Sequence, residues 1–66
     1  MKSLFINGVE EFRIEGNNYY VGNDICLEKV NKEKFIEELN KYDWILTGWC
    51  KELKKKYIEM KEMVIC

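Results

Sequence analysis

The sequence predicts an α+β fold: a small antiparallel sheet of three to four short strands over about residues 3–30, then one or two C-terminal helices over about 32–41 and 44–63. Three observations predict it. Glycine and asparagine punctuate the first half at hairpin spacing. Apolar residues recur every three or four positions through the second half. The two patterns are segregated along the chain rather than alternating, which argues for α+β over a βαβ arrangement.

The elements follow in order. Asn7-Gly8 separates Leu4-Phe5-Ile6 from the run between Val9 and Ile14. Asn-Gly is the strongest short hairpin signal, because a type I′ turn needs positive φ at both central residues. Phe12 and Ile14 alternate with Arg13, as a half-buried strand requires. Glu15-Gly16-Asn17-Asn18 marks a second turn and Gly22-Asn23-Asp24 a third, with the β-prone Tyr19-Tyr20-Val21 between them. The run from Ile25 to Val30 reads as a fourth strand or, with Asp24 as its cap, as a short helix. Asn31 is an N-cap ahead of Lys32-Glu33-Lys34. From there Phe35, Leu39, Tyr42, Leu46, Trp49, Leu53, Tyr57, Met60 and Val64 form a stripe stepped by threes and fours. Asn40 and Asp43 prefer caps to helix interiors, so a break is expected between them, with Asp43 capping the second helix. The alternative is one continuous helix, about 48 Å long at 1.5 Å per residue.

All 66 residues are expected to form one domain. A chain this short buries only about 60% of its unfolded surface, which leaves a thin margin of stability. The helical stripe is also longer than a few short strands would cover. Both points lead to the expectation of a homodimer, with Trp49, Leu53, Tyr57 and Met60 in a shared core.

Composition excludes several chemistries. Histidine is absent, which removes the commonest general base and most catalytic zinc sites. The formal net charge is -1, so the whole-chain field does not attract nucleic acid. Cys26, Cys50 and Cys66 are odd in number and make no C-x-x-C, and are expected as reduced thiols. Glu10-Glu11 and Glu37-Glu38 are sequence neighbours whose side chains point apart, so neither pair makes a two-carboxylate site. No catalytic residue, metal ligand or cofactor is expected. Leu4-Phe5-Ile6 is too short for a signal-peptide core, and no run is long enough to span a membrane, so a cytoplasmic location is expected and no membrane partner. Arg13 is the only arginine and Ala, Pro, Gln and His are missing, while Ile, Asn, Lys and Tyr are abundant. That usage is typical of an AT-rich gene, as in low-GC bacteria, their phages and plasmids.

Several side chains are candidates for contact with partners. Trp44, Trp49, Leu53, Tyr57, Ile58 and Met60 are candidates for a protein interface, with self or with another chain, since tryptophan and tyrosine bury large area at low entropic cost. Trp44 and Ile58 fall off the stripe on a helical wheel. Lys51, Lys54 and Lys55 share one arc and are candidates for polyanion contact. Tyr19 and Tyr20, with Trp49, are candidates to line a pocket between sheet and helix. The stretch Gly16-Asn17-Asn18-Tyr19-Tyr20-Val21-Gly22-Asn23-Asp24-Ile25 resembles the opening hairpin of BRO-N domains of phage and viral antirepressors. That likeness implies a glycine turn, an aromatic-valine strand and an Asp-capped helix, and it is confined to those ten residues. The Leu-Gly pair that follows in the family is replaced by Glu28-Lys29-Val30. The expected function is a small non-enzymatic binding protein, a phage- or mobile-element-encoded stoichiometric inhibitor of a larger host protein. The alternative is a nucleic-acid-binding regulator using the face from Lys51 to Lys56, with weak binding only.

Overall fold

A computed structural model describes residues 1–23 and 26–65, so the expectations placed on Asp24, Ile25 and Cys66 lie outside it. Four strands, β1 (Lys2–Ile6), β2 (Val9–Glu15), β3 (Asn18–Gly22) and β4 (Leu27–Val30), form an antiparallel meander in chain order. Two helices follow, α1 (Lys32–Asn40) and α2 (Lys51–Ile65), joined by a connector that contains a 3-10 helix, Asp43–Thr47. The arrangement is the α+β fold the sequence predicts.

The turns form for the expected reasons. Asn7 and Gly8 both have positive φ, at 54° and 79°, which is the type I′ requirement. At the second turn only Gly16 does, at 62°, which is the type II′ pattern with glycine first. The third strand pair runs Gly22 opposite Leu27 and Tyr19 opposite Val30. Residues 27–30 are therefore strand, and the helix implied there by the BRO-N likeness is not present.

Alternation assigns the two faces of the sheet. Leu4 pairs with Phe12, which pairs with Val21, and Ile14 pairs with Tyr19; all turn toward the helices. Ser3, Arg13, Tyr20 and Lys29 make the opposite row, on the open face. There Arg13 grips Glu10 with two hydrogen bonds, Nε to Oε2 at 2.9 Å and Nη2 to Oε1 at 2.6 Å.

A bulge interrupts this order. The register steps from Leu4 opposite Phe12 to Phe5 opposite Glu10, leaving Glu11 without a partner on β1. A bulge inserts one residue into one strand and re-aims side chains locally. On the other side of β2, Gly22 lies so close that an added Cβ would stand 2.6 Å from the Glu10 carbonyl oxygen. Only glycine fits beside the bulge.

The helices cover one face of the sheet. Asn31 caps α1 as expected, its Oδ1 accepting from the Lys34 N–H at 2.8 Å. Phe35 and Leu39 of α1 and Tyr57, Met60 and Val64 of α2 are buried against Leu4, Ile6, Phe12 and Ile14. The ring of Phe12 meets Phe35 edge-on at 5.4 Å. No polar or charged residue is buried among the described residues.

The helical half departs from expectation in its phase. The break falls where Asn40 and Asp43 place it, but the second α-helix starts at Lys51, not near 44. Asp43 does not cap it. Its carboxylate accepts from the Tyr57 hydroxyl at 2.8 Å and from Lys61 Nζ at 3.1 Å. Gly48 then swings to extended backbone, φ -81° and ψ -178°, and stops the 3-10 helix. A 3-10 helix has three residues per turn rather than 3.6, so it breaks the stripe. Ile45 is buried in place of Leu46, and Trp49 is thrown fully into solvent.

Candidate functional site

The connector sets out the surfaces available for binding. Its 3-10 geometry sends Trp44, Ile45 and Leu46 in three directions. Ile45 enters the core. Trp44 lines a cleft at the end of the sheet that holds the Asn7-Gly8 turn. Leu46 lines a groove along the outer side of α2.

The sheet-end cleft is open to solvent and has a volume of about 630 Å³. The Tyr42 ring stands edge-on to Phe12 at 5.1 Å and is tilted by 39° to the Trp44 ring at 6.1 Å. The Tyr42 hydroxyl donates to Glu11 Oε2 at 3.0 Å. Burial, then that carboxylate, push the Tyr42 phenol above its ordinary value, so it remains a donor. Ile6 and Val9 form an apolar wall. Glu11 reaches this group because the bulge frees it from strand pairing.

The groove is smaller, about 160 Å³, and lined by Leu46, Ile58 and Ile65 with Lys61 and Glu62 at its rim. Ile58 and Ile65 are two helical turns apart on α2, so they form a second apolar stripe beside the core stripe. Trp49 is 99% exposed and Trp44 54% exposed.

The remaining expected site residues scatter. Tyr57 and Met60 are wholly buried in the core of the single chain. Leu53 is half-buried against that same core. Within the single chain Phe35, Leu39, Tyr57, Met60 and Val64 of the stripe are buried, while Leu46 and Trp49 stay exposed. Tyr19 faces the helices, with its ring 5.3 Å from Phe35, whereas Tyr20 lies on the open face and Trp49 on the connector. These three do not converge on a pocket; period-2 alternation alone sends Tyr19 and Tyr20 to opposite faces. Lys51 and Lys55 are exposed and Lys54 half-buried on α2, with Glu59 close enough to Lys55 to feel its charge.

Tyr57 is a structural fastener instead. Its hydroxyl is shared between the Leu39 carbonyl at 2.7 Å and Asp43 Oδ1 at 2.8 Å, and Lys61 Nζ stands 5.4 Å from the ring centre. Burial and the Asp43 carboxylate raise the phenol well above its usual range. In return the Tyr57 hydroxyl, then Lys61, hold the Asp43 carboxyl below its own.

The sequence offers Glu11 only as half of a carboxylate pair and Tyr42 only as a member of the stripe, not as partners. The one available signal is that Glu10-Glu11 breaks the alternation that Phe12 and Ile14 establish. Cys26 and Cys50 are exposed free thiols. Among the described residues no three His, Cys, Asp or Glu side chains cluster as metal ligands, and no helix is long and apolar enough to cross a membrane. Compared with protein-family models, with curated proteins and with solved structures, the chain matches none.

Proposed function

We propose that this chain is a non-enzymatic binding protein that engages a larger protein through the groove of Leu46, Ile58 and Ile65, with Trp49 as an anchor. The observation that supports the reading is a core already closed without them. These four side chains add little to folding, and exposed apolar clusters with polar rims are the usual mark of protein contact. The stems of Lys61 and Glu62 complete an apolar lining, which suits an apolar segment of the partner. The small size and AT-rich residue usage favour a phage- or mobile-element-encoded stoichiometric inhibitor as the biological form of that binding.

The test is capture of a partner from host lysate by the tagged chain, beside a variant carrying Ile58→Ser and Trp49→Ala. The expected result is a complex of fixed stoichiometry that the variant fails to form while melting like the parent. Equal capture by the variant, or multiple turnovers of any substrate, would overturn the reading.

A second reading rests on Lys51, Lys54, Lys55 and Lys56, none of which sits in an ion pair among the described residues. On that reading α2 lies along a phosphate backbone. Binding to a DNA duplex would fall steeply with salt and vanish on neutralising Lys51, Lys54 and Lys55. Duplex binding that persists at about 150 mM salt would place this reading first.

A further inference from the structure

We propose that the sheet-end cleft is a binding site for an organic ammonium group, held by the Glu11 carboxylate and the rings of Tyr42 and Trp44. This site is separate from the groove of α2 and does not depend on its partner.

The first support is an unbalanced charge. Four carboxylates in the described structure are half-buried: Glu10, Glu11, Glu38 and Glu59. Glu10 pairs with Arg13, Glu38 with Lys34 and Lys41, and Glu59 with Lys2. Glu11 alone has no basic partner among the described residues; its hydrogen bond comes from the neutral Tyr42 hydroxyl. A carboxylate with no basic side chain beside it leaves a place that a ligand cation would fill by opposite charge.

The second support is the shape and chemistry of the walls. Among the described residues no Lys or Arg lines the cleft, and Glu11 gives it negative charge. Tyr42, bonded to the carboxylate through its hydroxyl, and Trp44, its ring 6.1 Å from that of Tyr42, line the same cleft as Glu11. Ring faces attract cations through their quadrupole, and paired rings with a carboxylate are how proteins take alkylated ammonium groups. Ile6 and Val9 offer apolar contact to the alkyl body. A volume of about 630 Å³ is ample for such a group.

The third support is that the backbone is specialised here. The bulge releases Glu11 from pairing, and Gly22 lets β3 close against it. Tyr42 fixes one carboxylate oxygen at 3.0 Å and leaves the other to a ligand. An anion would be repelled by Glu11, and a metal ion would find one carboxylate among the described lining residues where it needs several ligands.

The ammonium could be a free amine or the side chain of a methylated lysine in another protein, and the experiment separates the two. The full-length chain is titrated with choline, with its uncharged isostere 3,3-dimethylbutanol, and with a short peptide containing trimethyllysine. Backbone amide shifts of Glu11, Gly22 and Tyr42 report binding. Choline is expected to saturate these shifts and the isostere to bind at least about tenfold more weakly, a difference of ~1.4 kcal/mol. Glu11→Gln still accepts from Tyr42 but loses the charge, and is expected to weaken choline at least about tenfold. Trp44→Leu, at an exposed position, tests the aromatic wall independently and is expected to weaken it too. A peptide tighter than choline assigns the source to a protein side chain; the reverse assigns it to a free amine. Equal binding of the uncharged isostere, no effect of either variant, or no saturation by any ammonium probe up to about 50 mM would overturn the proposal.

Discussion

Tyr57→Phe removes one hydroxyl and tests what fastens the helical layer. Tyr57 is wholly buried, and its O–H is shared between the last turn of α1 and the first residue of the 3-10 helix. Neither acceptor is orphaned by the change. The Leu39 carbonyl keeps the Tyr42 N–H at 3.0 Å, and Asp43 keeps Lys61 at 3.1 Å. The loss is therefore that of one ordinary hydrogen bond, about 0.5–1.5 kcal/mol, not the larger cost of a buried unsatisfied group. In a domain of this size each kcal/mol moves Tm by about 4–8 °C, so a fall of about 2–12 °C is expected. The pH dependence identifies the partner. The folded Asp43 carboxyl titrates below its unfolded value, so its contribution is intact above about pH 4 and fades as pH falls through the folded value. The folded Tyr57 phenol titrates above its unfolded value, so its contribution is intact below about pH 10 and fades as pH rises beyond it. The gap between parent and variant should therefore be widest near neutrality and narrow at both ends. Thermal melts by circular dichroism across that range give the answer. A gap of constant size at every pH, or a variant as stable as the parent, would refute the network.

Gly22→Ala forces a Cβ to 2.6 Å from the Glu10 carbonyl oxygen. It should cost about 1–3 kcal/mol in denaturant unfolding, as overpacking against backbone does. Trp49→Ala, at a side chain 99% exposed, should leave unfolding within about 0.5 kcal/mol of the parent while weakening partner capture. The closed core predicts that folding needs no second copy. Tm should be independent of protein concentration, and Leu53→Asp should lower it by placing a charge against the core; a Tm that rises with concentration would restore the coupled dimer.

What was legible in the sequence follows from how local each cause is. Asn7-Gly8 and Gly16 declare their turns because positive φ is a property of the residue itself. Asn31 declares the start of α1 because a cap needs only its own neighbours. The break near Asn40 was legible for the same reason. Its form was not, because Asp43 is drawn away by Tyr57 and Lys61, which lie 14 and 18 residues further on. That long-range contact sets a 3-10 turn and rephases the stripe. Glu11 was hidden in the same way, since the bulge exists only through its pairing with β1.

The same rephasing links the fold to its surfaces. Had the stripe run on as an α-helix, Leu46 and Trp49 would face the core and Ile45 would sit beside it. The 3-10 turn instead buries Ile45, hands Leu46 to the groove of α2, and aims Trp44 at the cleft beside Glu11. Tyr57 is the device that holds the turn in that state. The connector therefore links the stability of the fold to the shape of both proposed binding surfaces. A change that loosens the Tyr57–Asp43 bond should disturb both Trp44 and Leu46 before it unfolds the sheet, whose hairpins are fixed by their own turns.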